Sequence, residues 1–449
     1  MLTLLLLLGP PAADTWAGFR NDGTSRTAAA GLPLTWAPDT LAWRVTTPGY
    51  GQSAPVVWKG TVYVTSVDGP NKETLLVSAL DLADGKLRWT KSFPSSQPGK
   101  SNPMMSRAAG SPVADAAGLV CLFEGDLIAL THAGAVRWQR NLSKEFGPLK
   151  NNHGLGSSPA QTDAHVVVLL DHQGPGKLLA VSKADGTTAW AADRPPRSSW
   201  TSPVVLAVGG TQQVVVSSGG AVTGYDAASG AKAWELDGVV GNSIPSPAVA
   251  GDRVIVPAGE NRMKPDADAT SRSNLCLRPT ATGYEVVWRA KKLAAGTASP
   301  VAADGLAYFC ERNGFVTALD LATGEERFRE RLPGDVWATP VAADGHVFFF
   351  GKDGVTTVLK AGPAFDPVAT NRFWSAADHA ARAKAEREKA AAALPTPPEA
   401  KGPGGGPPVP KGEREGMMYA AVGDVVYGVA AVDRAFVVRT GTEVIRVGR

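Results

Sequence analysis

Six residues of types that grip ligands stand a few positions ahead of a recurring proline: Tyr50, Arg107, His153, Trp200, Asn242 and Trp337. Aromatic rings offer flat apolar area, an arginine fork pairs with anionic or hydroxyl-bearing groups, and Asn and His add directed hydrogen bonds. That mixture suits recognition of a protein partner or a small ligand. Groups that could do covalent or metal chemistry do not gather in the same way. Cys121, Cys276 and Cys310 lie far apart with no metal or redox spacing, which is the pattern of buried strand residues. The histidines (His132, His153, His165, His172, His346 and His379) are equally scattered. Asp266, Asp268, Ser271 and Asn274 form the nearest approach to a Ca²⁺ loop but lack its glycine turn. Gly99-Lys100-Ser101 resembles the end of a phosphate loop, yet Pro94 stands where the first glycine is required. No Gly-x-Ser-x-Gly elbow occurs. We therefore expect no catalytic residue, no metal site and no bound cofactor.

The elements that position the six residues are repeats. Each module opens on Ser-Pro or a close variant: Ala54-Pro55, Ser111-Pro112, Ser158-Pro159, Ser202-Pro203, Ser246-Pro247, Ser299-Pro300 and Thr339-Pro340. Each then runs through short apolar stretches broken by Asp-Gly and Thr-Gly turns, as in Ser299–Phe328, which reads as an antiparallel four-stranded meander. A second mark is a glycine followed about four residues on by an aromatic: Gly85 and Trp89, Gly134 and Trp138, Gly186 and Trp190, Gly230 and Trp234, Gly283 and Trp288, Gly324 and Phe328. A meander cannot bury both faces alone, so the modules must stack, and their length is that of propeller blades. Proline, which cannot donate to a ladder, belongs on the innermost edge strand. The aromatic on the outermost strand is placed to wedge between neighbours. The six candidate residues, just upstream of the innermost strands, should then share one rim of the central channel, the usual recognition surface of such folds.

The two ends of the chain complete the count. Trp43, in Leu41–Thr46, reads as a fourth strand without a module before it, and Tyr427–Val447 supplies three strands and then stops before any Trp. Joined, they make one blade and close a ring of eight. Residues 375–416 interrupt the pattern with an Ala-rich helix and a Pro/Gly-rich linker. The polar stretch Glu260–Asn274 is expected to be a loop. Residues 1–13, apolar and ending in small residues, fit a signal peptide ahead of one propeller domain over 14–449, and are far too short to span a bilayer. No cysteine follows them, so no lipid anchor on a mature N-terminal cysteine is expected. A formal charge of +3, with no basic stripe, argues against a nucleic-acid partner.

The consensus Ser-Pro, Asp-Gly turn, Ala-Leu-Asp-x-x-Thr-Gly-x-x-x-aromatic resembles the pyrroloquinoline-quinone-type β-propeller repeat. Asp81–Trp89, Asp226–Trp234 and Asp320–Phe328 carry it best. Trp16–Gly23 is similar to the opening segment of exported members. The resemblance implies an all-β, eight-bladed propeller, periplasmic or associated with the cell envelope. Its members include quinone-dependent dehydrogenases and the non-enzymatic propeller lipoprotein of the outer-membrane barrel assembly machinery. The dehydrogenase branch uses a vicinal cysteine pair, Ca²⁺ and an aspartate base, and this chain has no adjacent cysteines. The expectation is thus a binding or scaffold propeller. The alternatives are an oxidoreductase holding pyrroloquinoline quinone with Ca²⁺, and a carbohydrate-binding or lyase-type propeller.

Overall fold

Short strands with abrupt turns dominate the computed structural model, which describes residues 13–99, 106–151, 153–261, 265–392 and 425–448. The expected signal peptide, except Ala13, and the Pro/Gly-rich linker lie outside the described residues. Eight antiparallel sheets follow one another around a ring, each built on four strands and the first extended by Thr15–Trp16 to five, making the chain an eight-bladed propeller. The module Ser299–Phe328 supplies Val301–Ala303, Leu306–Cys310, Phe315–Asp320 and Glu326–Arg331. The eighth blade is composite: Trp43–Thr46 pairs antiparallel with Glu443–Gly448, outside Gly428–Val432 and Ala435–Arg439. Blades are numbered from Ala54-Pro55.

The core lies in the seams between blades. Seven apolar clusters are found among the described residues, and six of them join one adjacent pair of blades; Val56, Tyr63 and Val77 of blade 1, for instance, pack with Cys121, Phe123 and Ile128 of blade 2. The largest gathers blades 7, 8 and 1 with Trp16, Leu32 and Trp36 of the N-terminal segment.

The repeat marks have specific jobs in these seams. The serine of each Ser-Pro accepts, on Oγ, the backbone N–H of the equivalent residue one blade earlier: Ala54 to Ser111, Ser111 to Ser158, Ser158 to Ser202, Ser202 to Ser246 and Ser246 to Ser299, all at 2.9–3.0 Å. These serines are buried, so each hydroxyl satisfies an N–H that water cannot reach.

On the outermost strands a register shift falls immediately before the aromatic in blades 1 to 6, and recurs in blade 7 before Ala369. Such a bulge re-aims the side chain that follows it. It turns the ring onto the turn of the next blade: Trp89, Trp138, Trp190 and Trp288 donate Nε1 to the carbonyls of His132, Lys183, Ala227 and Leu321, and Trp43, on a strand without the bulge, donates likewise to Leu82. Glycine is required beneath the ring. A Cβ on Gly230 (φ +73°) would stand 2.5 Å from Trp190, and one on Gly186 (φ +79°) 2.7 Å from Trp138. Trp234 differs, donating to Gln213 of its own blade and packing on Tyr284, while Phe328 packs edge-on against Phe365.

Two insertions are more ordered than a loop. Within Glu260–Asn274, Ala267–Ser273 is a helix, because Asp266 accepts the N–H of Ala269 at 2.8 Å and caps it. Ala376–Ala392 is the expected Ala-rich helix, with Lys384 3.8 Å from Glu388; Arg382 reaches Glu443 of blade 8 at 3.2 Å.

Candidate functional site

Two sets of connections share one face of the ring: those running from an outermost strand to the next innermost strand, and those between second and third strands. Contacts such as the Tyr50–Val67 and Val336–Gly351 bridges tie the two sets together. The residues expected at the rim fall on this face, and the structure divides them into separate groups.

Tyr50 and Trp337 are brought together by Tyr427. The Tyr50 and Tyr427 hydroxyls lie 2.7 Å apart with rings edge-on at 6.4 Å, and Trp337 meets Tyr427 edge-on at 6.0 Å. Trp337 is 36% exposed, a large ring left in solvent at the channel mouth. Gln52 donates to the Tyr50 hydroxyl at 3.4 Å and accepts the N–H of Ser106 at 3.2 Å. Beneath them Arg439 is wholly buried, its Nη1 on Thr47 Oγ1 at 2.5 Å and its Nη2 on the Gly441 carbonyl at 3.3 Å. Burial pulls its pKa down to about 10, against the opposing pull of Tyr50. Burial, reinforced by Tyr427, holds the Tyr50 hydroxyl well above the ordinary phenol range, so it stays neutral and serves as a hydrogen-bonding group.

Arg107 pairs with Glu124 of its own blade at 2.9 Å, both side chains largely enclosed. Burial raises the Glu124 carboxyl pKa although Arg107 opposes it, and burial together with Arg107 lowers nearby Lys72 to about 8. His153 packs on Trp200 at 5.8 Å, and Trp200 is fixed by donating Nε1 to the Gly154 carbonyl at 3.0 Å and its N–H to the Ser243 carbonyl at 2.8 Å. Val240 and Ile244 flank Ser243 and are exposed. Asn242 faces inward. It is fully buried, donates to Ser217 Oγ and the Ala221 carbonyl, and accepts the N–H of Gly220, so its amide shapes the rim instead of presenting itself to the channel.

Reading residues upstream of the prolines missed Tyr427, Gln52 and Arg439. Tyr427 could have been found by applying the same rule to the composite blade, where it directly precedes Gly428 at the proline position. That glycine is demanded by the neighbouring blade, since a Cβ there would stand 2.5 Å from Ala54 Cβ.

The groups nearest in type to a quinone and Ca²⁺ site are engaged elsewhere in the fold. The three cysteines are buried on blades 2, 5 and 6, and burial raises their pKa, that of Cys276 to about 12. Among the described residues no group of three or more His, Cys, Asp or Glu is placed to hold a metal ion. Asp266 is used as a helix cap, and the Asn274 amide donates to the Ala258, Thr270 and Leu293 carbonyls.

Ring, repeat and seams together define a propeller of the pyrroloquinoline-quinone-like repeat class. The chain belongs to the family described as outer membrane protein assembly factor BamB, whose model matches residues 34–148, 150–284 and 280–395. It is 22% identical over 222 residues to the outer membrane protein assembly factor BamB of Moranella endobia, covering 48% of this chain and 52% of that one. It is 27% identical over 252 residues to that of Burkholderia pseudomallei, covering 54% and 61%. The alignments thus span about half to three-fifths of these curated relatives. In fold, it is similar to BamB from Moraxella catarrhalis, with a TM-score of 0.57, 14% identity, and coverage of 91% of this chain and 99% of that one. It is also similar to a quinohemoprotein alcohol dehydrogenase from Pseudomonas putida HK5, with a TM-score of 0.56, 13% identity, and coverage of 97% and 80%.

Proposed function

We propose that this chain is an exported, envelope-associated propeller that works by binding, with a protein partner in outer-membrane protein assembly docking on its rim. The observation that carries this reading is the aromatic group at the channel mouth: Trp337 exposed, Tyr427 and Tyr50 behind it, and their hydroxyls paired with each other, not with an acid or a base. An exposed tryptophan backed by half-buried tyrosines over a rigid support is what an interface anchor requires. The curated relatives are outer membrane protein assembly factors, which supplies the setting. No cofactor is part of this reading. The oxidoreductase alternative draws only on shared fold with the quinohemoprotein enzyme, and fold does not carry chemistry. Titrating purified protein with pyrroloquinoline quinone and Ca²⁺ separates the two. The expected result is no saturable binding and no dye-linked alcohol oxidation; stoichiometric binding with turnover would overturn the proposal.

A further inference from the structure

The central channel is crossed by the chain's own N-terminal segment. Thr15–Trp16 adds to the innermost strand of blade 1, and the Ala17 carbonyl accepts the N–H of Ala114 on blade 2 at 2.8 Å. A Cβ on Gly18 would stand 3.3 Å from Val113 of blade 2, and one on Gly23 3.3 Å from Val204 of blade 4. Ser25 then bonds the Pro340 carbonyl of blade 7, and Arg26 bridges to Ala342. The segment therefore passes from one side of the ring to the other within the height of the innermost strands.

At the middle of this crossing stands Arg20. It is 3% exposed, its guanidinium carbon lies 5.0 Å from the centre of the Phe19 ring, and among the described residues its Nε and Nη1 are enclosed without a hydrogen-bond partner and it forms no ion pair. Asp22, the nearest acid in sequence, spends Oδ1 on the N–H and hydroxyl of Thr24. The side chain below it in the loop is fully used: Asn21 accepts the N–H of Ala17 and donates to the Arg26 carbonyl, each at 3.0 Å, and so pins the crossing shut. Arg20 and Asn21 both hold left-handed backbone, φ +57° and +61°, which neither residue adopts freely. Burial pulls the guanidinium pKa down to about 9, against the opposing pull of Asp22. A buried cation met only by an aromatic ring and by a carboxylate already bonded to Thr24 is costly to keep, and a methionine would fill the same space without that cost. A strained loop that holds it there is explained if the charge is completed from outside the chain.

We propose that Arg20 is the centre of an oxyanion site in this crossing segment, taking a carboxylate or a phosphate through its planar fork. The site stands apart from the rim aromatics, and its ligand is a small anion.

The test is thermal unfolding and calorimetric titration of full-length protein with sodium acetate or inorganic phosphate, against sodium chloride at matched ionic strength. Wild type should show a saturable rise in melting midpoint with one or both oxyanions and none with chloride; the two salts distinguish a carboxylate site from a phosphate site. Arg20→Met should lose that rise, bind at least about tenfold more weakly, and in chloride melt at or above wild type. Arg20→Lys, which keeps charge but not the fork, should retain a weakened rise. The proposal is overturned by an equal rise in wild type and Arg20→Met, by no rise in either, or by Arg20→Met melting below wild type in chloride, which would make Arg20 a structural cation satisfied within its loop.

Discussion

Replacing Gly230 by alanine tests how neighbouring blades are locked. Two costs are expected. The residue sits at φ +73°, where an L side chain costs about 1–2 kcal/mol. Its Cβ would also stand 2.5 Å from Trp190 Cδ2 and Cε3, so the ring must leave its seat. Overpacking of that kind costs roughly 1–3 kcal/mol, and losing the 3.0 Å bond from Trp190 Nε1 to the Ala227 carbonyl adds about 1 kcal/mol. Gly251 is the control: it has φ +65° and nothing within 4 Å of its Cβ position. Gly251→Ala should therefore lose only the conformational part, about 1–2 kcal/mol, while Gly230→Ala loses roughly 3–6 kcal/mol. Urea unfolding of the two variants measures the difference. If they match within about 0.5 kcal/mol, the tryptophan-on-glycine contact is not what holds the seam.

Ser158→Ala leaves the buried N–H of Ser111 without its acceptor and should cost about 1–3 kcal/mol by urea unfolding, with the fold intact; a neutral result would remove the serine ring from the account. Arg194 and Asp171 form a fully buried pair across which Tyr225 and Ser218 of blade 4 also bond, so Asp171→Ala should destabilise by about 3–5 kcal/mol, and Asp171→Ala/Arg194→Met should recover much of that loss. The turn aspartates predict acid sensitivity: Arg88 holds Asp81 low, Ser229 holds Asp226 low, and Arg327 holds Asp320 at about 2. Because their folded pKa values lie below the unfolded one of about 4, their stabilisation is complete above that pH and is lost as pH falls towards 2. Thermal melts across that window should show a smaller loss in Asp81→Asn/Asp226→Asn/Asp320→Asn than in wild type.

Much of the ring was legible because its marks are local. The strands of Ser299–Phe328 follow from turn residues at fixed spacing, and the composite blade follows from two incomplete modules at opposite ends of the chain. What the sequence hid were relations between modules. Gly230 and Trp234 recur together in one repeat, yet Gly230 serves Trp190 of the blade before; sequence spacing cannot show that displacement. The serine looked like a companion of its proline, whereas its hydroxyl acts on the preceding blade. At the rim, position predicted the face but not the orientation: Asn242 turns inward to bond Ser217, and Arg107 is held by Glu124, both decided by partners far from them in sequence. Arg20 gave no signal at all, since nothing local distinguishes a buried arginine from a surface one.

The central claim is that the rim aromatics around exposed Trp337 are a docking surface. Its most direct test is a photo-crosslinking residue placed at Trp337 of the full chain in cells, with one at exposed Val286 on the outer strand of blade 5 as control, and melting of both purified variants measured alongside. The account predicts a discrete crosslinked protein species from position 337 only, lost when Tyr427→Ala is added, while both variants melt as wild type does. Crosslinking that is equal at the two positions, or absent at 337 in a folded variant, would contradict it.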